Sequence, residues 1–164
     1  MLPGFRTSAL VTSNEFQNNG MSNNKDKEGS GTHGMYFRIN GAVVWCRGAN
    51  VVPIDQLEGR MADEAHRSMV QSAASAGMNM LRVWGGGMIL AASFYDACDE
   101  MGLLLFHDMM YVQEQNHPPR RTMVQEEELR FNIRELASHP SIVIWNGCNE
   151  VRQRNLTIFS FFGI

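Results

Sequence analysis

Four short apolar runs, "VVWCRGAN", "MNMLRVW", "LLLFHD" and "SIVIW", alternate with stretches of helical periodicity, and that alternation constrains this chain more than any other feature. In "DEAHRSMVQSAASAG", Ala65, Met69, Ala73 and Ala76 fall near helical spacing, and Gly77 suits the C-terminal cap. "SFYDACDEMG" predicts a shorter helix, with Phe94, Cys98 and Met101 on one face and Gly102 as its stop. Thr122 and Gln125 have the spacing of a capping box, ahead of a helix carrying Leu129, Ile133 and Leu136, and Pro140 ends it. The order β-α-β-α-β-α-β is the grammar of a parallel sheet with helices packed on it, an α/β fold.

Upstream the text changes character. Met1 to about residue 34 is rich in Ser, Asn, Gly and Lys, with too few apolar residues to offset the entropy of ordering, so a flexible tail is expected over 1–34. "MYFRINGAVVWCRGAN" follows, two β-prone runs around Asn40-Gly41, the strongest short-range hairpin signal, with the second run leading onward as the first strand of the sheet.

Composition excludes several classes. At 164 residues, 44% hydrophobic and a net charge of −3, the chain reads as about one globular domain with no basic face for phosphates, and no nucleic-acid partner is expected. Cys46, Cys98 and Cys148 are scattered and odd in number, which argues against a disulfide framework or a zinc knuckle. "MLPGFRTSALV" lacks the apolar core of a signal peptide, and no run approaches the roughly 18 apolar residues of a membrane helix.

Chemistry in parallel βα folds gathers at the C-terminal ends of the strands. Here those ends read "GAN", "RVWGGG", "HD" and "NGCNE", so Arg82 and Trp84, His107 and Asp108, and Asn149 and Glu150 converge on one pole. Other uses of these residues stay open at this level. Gly85, Gly86 and Gly87 could cradle a phosphate, though the spacing fits neither a P-loop nor a dinucleotide fold. His107, Asp108 and His117 could bind a metal. Glu150 could be a helix cap or a loop acid, and Trp84 plain core.

Taken together and in register, "YFRINGAVVWCRGAN", "GMNMLRVWGGG", "FYDACDEMGLLLFHD" and "HPSIVIWNGCNE" resemble the catalytic barrel of the glycoside hydrolase family 2 β-mannosidases, over about Met35 to Glu150. The resemblance implies an incomplete (β/α)8 TIM barrel, about its first four βα units, over 35–150. It implies a retaining glycosidase acting on terminal β-mannose, with Glu150 as general acid/base, Asn149 on the sugar 2-hydroxyl, Trp84 lining the mannose pocket, and Arg82 and Asp108 among the polar residues around it. No cofactor, metal or membrane partner follows from it; the implied partner is a carbohydrate, and the implied compartment is lysosomal or secreted. The family's nucleophile is a glutamate on the seventh strand, so none is expected within these residues, and 151–164 departs from the family as an aberrant tail. Cys148 stands where the family more often has Asn. A non-catalytic carbohydrate-binding fragment is the competing expectation, or a family 2 glycosidase of β-galactosidase or β-glucuronidase type.

Overall fold

The computed structural model describes residues 6–11, 35–112 and 122–149. The chain divides into two compact units that part between Cys46 and Arg47.

The first unit is an antiparallel sheet of β1 (Ser8–Val11), β2 (Tyr36–Ile39) and β3 (Ala42–Val44) in that order. The Asn-Gly hairpin forms as expected. Asn40 (φ 49°) and Gly41 (φ 82°) both adopt positive φ, the requirement of the tight turn whose twist matches that of the flanking strands. β1 was not anticipated. It lies inside the stretch read as a flexible tail, which corrects that reading for Ser8–Val11, while 12–34 lies outside the described residues. Its basis is pairing: Ser8 to Val11 run antiparallel to Ile39 to Tyr36, and Thr7 and Asn40 clasp the end, each backbone N–H donating to the other residue. Backbone pairing of this kind leaves no periodicity in so short a run.

The second unit holds a four-stranded parallel sheet, β4 (Gly48–Val51), β5 (Met80–Val83), β6 (Leu104–Asp108) and β7 (Ile142–Asn146), paired in chain order. The expected alternation is thus present, with one correction. The hairpin's second run does not continue into the parallel sheet; β3 ends at Val44, and β4 begins at Gly48 with a different partner. A short 3-10 turn (Glu58–Arg60) follows β4, and α1 (Asp63–Ser75), α2 (Ala92–Met101) and α3 (Met123–Leu136) alternate with the strands.

The helices end where the sequence marks them. Gly77 (φ 79°) and Gly102 (φ 71°) turn left-handed after α1 and α2, a conformation that costs glycine nothing. Thr122 and Gln125 form the reciprocal capping box of α3. The inward face of α1 is wider than expected: Met69 and Ala73 pack against the core, His66 and Val70 beside them are wholly buried, and Ala76 is exposed and caps the helix. A polarity pattern cannot anticipate a histidine on the inward stripe.

Alternate strand residues share a face. Val51, Leu81, Val83, Leu105 and Ile142 enter one core with Val70 of α1, Phe94, Tyr95, Ala97 and Cys98 of α2, and Leu136 of α3. The other face carries Asn50, Arg82, Phe106 and Ile144 in one row, with Asp108 and Asn146 in a second. The opposition of Asp108 to Asn146 depends on an irregularity between Leu105 and Phe106, where Ile142 and Ile144 are the successive partners. Asp99 of α2 fixes the approach to β7: Oδ2 meets His139 Nδ1 at 2.6 Å, and Oδ1 accepts the Ser141 N–H at 2.9 Å. Among the described residues no helix is long and apolar enough to cross a membrane.

Gly48 sits so close to β5 that a Cβ there would run into the carbonyl of Met80. Gly48→Ala is therefore expected to destabilise the chain by about 3 kcal/mol, seen as a lower urea midpoint. Gly59→Ala, whose Cβ would meet nothing within 4 Å, should change stability by about 1 kcal/mol or less. Equal midpoints for the two variants would mean that β4 does not hold this register.

Candidate functional site

The C-terminal ends of β4 to β7 meet around one carboxylate. Asp108 closes β6 and is wholly buried, an expensive place for a charge unless each oxygen is matched. Arg82 of β5 grips it with two nitrogens, Nε to Oδ1 at 3.2 Å and Nη2 to Oδ2 at 2.6 Å. The Gly85 N–H adds a bond to Oδ2 at 3.1 Å, and Asn146 Nδ2 one to Oδ1 at 2.8 Å. Donors from β5, the loop after it and β7 thus converge on Asp108.

Arg82 carries the connection outward. Its Nη2 also donates to Asn149 Oδ1 at 2.8 Å, Nη1 reaches Asn50 Oδ1 of β4 at 3.5 Å, and the guanidinium lies 5.6 Å from the centre of the Phe106 ring. A planar fork of donors can serve several acceptors at once, which lysine cannot. Asn149 is further fixed by its N–H to the Tyr111 carbonyl (2.9 Å) and by Nδ2 to the Val112 carbonyl (3.2 Å). The residue before Glu150 is therefore held on both sides.

Of the residues expected at this pole, Arg82, Asp108 and Asn149 are bonded into one network. Trp84 stands two residues beyond Arg82, half-buried, with its N–H on the Val51 carbonyl at 3.1 Å. Glu150 lies outside the described residues, as does His117. Sequence reasoning passed over Asn50, Asn146 and the Gly85 N–H. The criterion that found Arg82, a polar group at an apolar strand's end, applies equally to Asn50 in "GAN" and Asn146 in "IWN".

The three glycines serve close approach. A Cβ on Gly85 would lie 2.6 Å from the carbonyl oxygens of both Met109 and Tyr111, and one on Gly86 would enter the Trp84 indole. Two of the loop's N–H groups are already engaged, Gly85 with Asp108 and Gly87 with the Trp84 carbonyl at 3.1 Å. This is the packing of a loop against its neighbours and its own tryptophan, and it does not form a phosphate cradle.

His107 and Asp108 do not act as a ligand pair. They alternate on β6, and His107 faces the helix layer, with Nε2 2.9 Å from the Tyr95 hydroxyl and Nδ1 2.8 Å from the Asp108 carbonyl. Potential ligand atoms of Asp96, Asp99 and His139 lie within 4.8 Å of one another. The Asp99 carboxylate and His139 Nδ1 are already committed to each other and to Ser141, as a clasp between α2 and β7. Burial also pushes the Cys98 thiol up to about 12 and raises that of Cys148, so neither is an activated nucleophile.

Two expectations follow from this chemistry. Arg82→Met would leave the Asp108 charge buried with two of its four hydrogen bonds among the described residues gone, and a loss of about 3–5 kcal/mol in unfolding free energy is expected, with Arg82→Lys falling between it and the parent. The other concerns His107, whose burial pulls its pKa down from the ordinary 6.5 to about 4, against the opposing pull of the Asp108 carbonyl and carboxylate. Between those values the unfolded chain binds a proton that the folded chain refuses. This contribution to stability is therefore complete above about pH 6.5 and is lost as pH falls toward 4, by about 3 kcal/mol in all. Urea midpoints of the parent and of His107→Gln across that window would show it as a difference that narrows on acidification; a constant difference would refute it.

No family model matches the chain. Curated relatives do. It is 37% identical over 118 residues to the β-mannosidase of Rattus norvegicus, covering 71% of this chain and 13% of that protein. It is 39% identical over 127 residues to β-mannosidase B of Emericella nidulans, covering 76% of this chain and 15% of that one. Among solved structures, the β-D-mannosidase of Dictyoglomus thermophilum matches with a TM-score of 0.72 at 31% identity, over 92% of this chain and 18% of the other. A β-glucuronidase of Bacteroides uniformis shares the fold, with a TM-score of 0.60 at 19% identity, over 87% of this chain and 15% of the other. The chain is thus similar to a segment of the β-mannosidases of glycoside hydrolase family 2, and spans 13–15% of the length of these curated relatives.

Proposed function

We propose that these residues form the acid/base side of a retaining glycosidase site acting on terminal β-mannosides, within the first half of a (β/α)8 barrel spanning 35–150. The observation that carries it is Asn149, three residues beyond β7 and one before the glutamate at 150, pinned by Arg82 to Asp108 at the end of β6. The parallel order β4-β5-β6-β7, the helices contributing to one core, and the relationship to β-mannosidases all support it. Each outer strand of the sheet has one neighbour among the described residues, as a barrel continuing on both sides would require.

Glu150 is the general acid/base in this reading. A retaining mechanism needs one carboxyl that protonates the leaving oxygen and a second, roughly 5 Å away, that attacks the anomeric carbon. In that role the carboxyl must hold its proton until the leaving oxygen departs. Asn149 keeps one amide hydrogen beyond the bond to Val112, and that hydrogen donates to the sugar 2-hydroxyl. Trp84 offers its indole face to the C–H face of the sugar. Arg82 and Asp108 belong to the polar lining around the sugar in this reading, and the buried Asp108 also holds Arg82, which holds Asn149. The attacking carboxylate is a further glutamate, which these residues do not supply.

The test is an assay with aryl β-mannosides on the 164-residue chain, on a chain that also carries the seventh-strand glutamate, and on the latter with Glu150→Gln. The 164 residues alone should give no turnover. In the longer chain, Glu150→Gln should cut kcat/KM by about 10²–10⁴-fold for a poor leaving group, and much less for a good one, whose departure needs little protonation. Turnover by the 164 residues alone, or an equal loss with both leaving groups, would overturn these assignments.

A further inference from the structure

We propose that Tyr95 and His107 are positioning residues that lock the loop bearing Trp84 to the strand end bearing Asp108, from the helix side of the sheet. Both are wholly buried, on α2 and β6. The contacts fix the direction of every hydrogen. The Asp108 carbonyl can only accept, so His107 Nδ1 carries the proton of the bond at 2.8 Å. The neutral imidazole then leaves Nε2 as an acceptor, and the Tyr95 hydroxyl 2.9 Å away is its donor. That hydroxyl keeps its lone pairs for the N–H of Leu90, at 3.3 Å, on the loop that leaves β5 through Trp84 and the three glycines. A single directed chain therefore runs from Leu90 through Tyr95 and His107 to the backbone of Asp108. A second link joins the same two segments on the opposite face, where the Gly85 N–H binds the Asp108 carboxylate. The loop is thereby tied to β6 at both of its ends, Gly85 and Leu90.

Packing holds the relay rigid. The Tyr95 ring stacks with His107 at 5.8 Å between centroids and meets Phe94 edge-on at 5.2 Å, while His107 lies 5.0 Å from Trp145. Trp145 is the residue before Asn146, which donates to the Asp108 carboxylate. A buried imidazole with both nitrogens matched has little freedom to reorient, because any rotation leaves two polar groups unpaired. The importance of this coupling for sugar binding rests on the glycosidase reading; the coupling itself does not.

Two measurements on the 164-residue chain test it without any sugar, so its failure and that of the glycosidase reading are separable. The first is the tautomer of His107 by nitrogen-15 NMR at neutral pH. A proton on Nδ1 is expected; a proton on Nε2 would remove the bond to Asp108 and overturn the proposal, whatever the variants do. The second is amide exchange in Tyr95→Phe, which keeps the ring and deletes the hydroxyl. Leu90 loses its own partner and must lose protection. The decisive amide is Gly85, whose partner Asp108 is untouched; its protection should fall by about tenfold or more, with a shift of the Trp84 indole N–H. Val70→Ala, a truncation in the same core that removes none of the relay's hydrogen bonds, should leave Gly85 and Trp84 as they are. Loss confined to Leu90, or an equal effect of Val70→Ala on Gly85, would overturn the coupling. Should Tyr95→Phe fail to fold, the tautomer of the unaltered chain still decides.

Discussion

A carboxylate buried to the last ångström cannot be left to itself. Asp108 has no exposed surface, and the desolvation of its charge is tolerable only because Arg82, Gly85 and Asn146 supply its hydrogen bonds. That requirement dictates much else. β5 must present an arginine in register with Phe106, the loop after β5 must bring a backbone N–H within reach, and β7 must end on an amide. A buried pair of this kind adds little net stability over an apolar pair of the same shape, but it penalises every arrangement in which one partner is missing. It therefore acts chiefly on the register of the strand ends.

The two faces of the sheet divide the work. Helix-side residues such as Leu81, Val83 and Leu105 bury apolar surface with α1, α2 and α3, and this burial is the main drive to fold. Arg82, Asp108 and Asn146, on the other face, contribute specificity at a desolvation cost. His107 belongs to the first face by position and to the second by effect, since its hydrogen bond ends on the Asp108 backbone.

Much of this was legible in the sequence, and unevenly so. The parallel strands, the glycine stops and the capping box of α3 rest on local chemistry and stand in the structure as expected. β1 and the break between Val44 and Gly48 were not legible, because both depend on which distant strand is the partner. The inward turn of His66 went unseen because a polarity pattern places histidine outside. At the site, residue type pointed to Arg82, Asp108 and Asn149 as neighbours, but only the structure separates Asp108, sealed and holding others, from Asn149, which is half-buried. Strand-end position alone does not distinguish a group that meets a ligand from one that holds such a group in place.

Gly85 cannot bear a side chain because two carbonyls of the β6 loop approach it, and Gly86 cannot because the Trp84 indole covers it. The close approach at Gly85 lets its N–H reach Asp108, and the cover at Gly86 fixes the indole against its own backbone. One tripeptide thereby sets both the carboxylate that anchors Arg82 and the orientation of the aromatic ring beside it. The Asn149 amide and the Trp84 indole are in this way positioned by the same few backbone atoms.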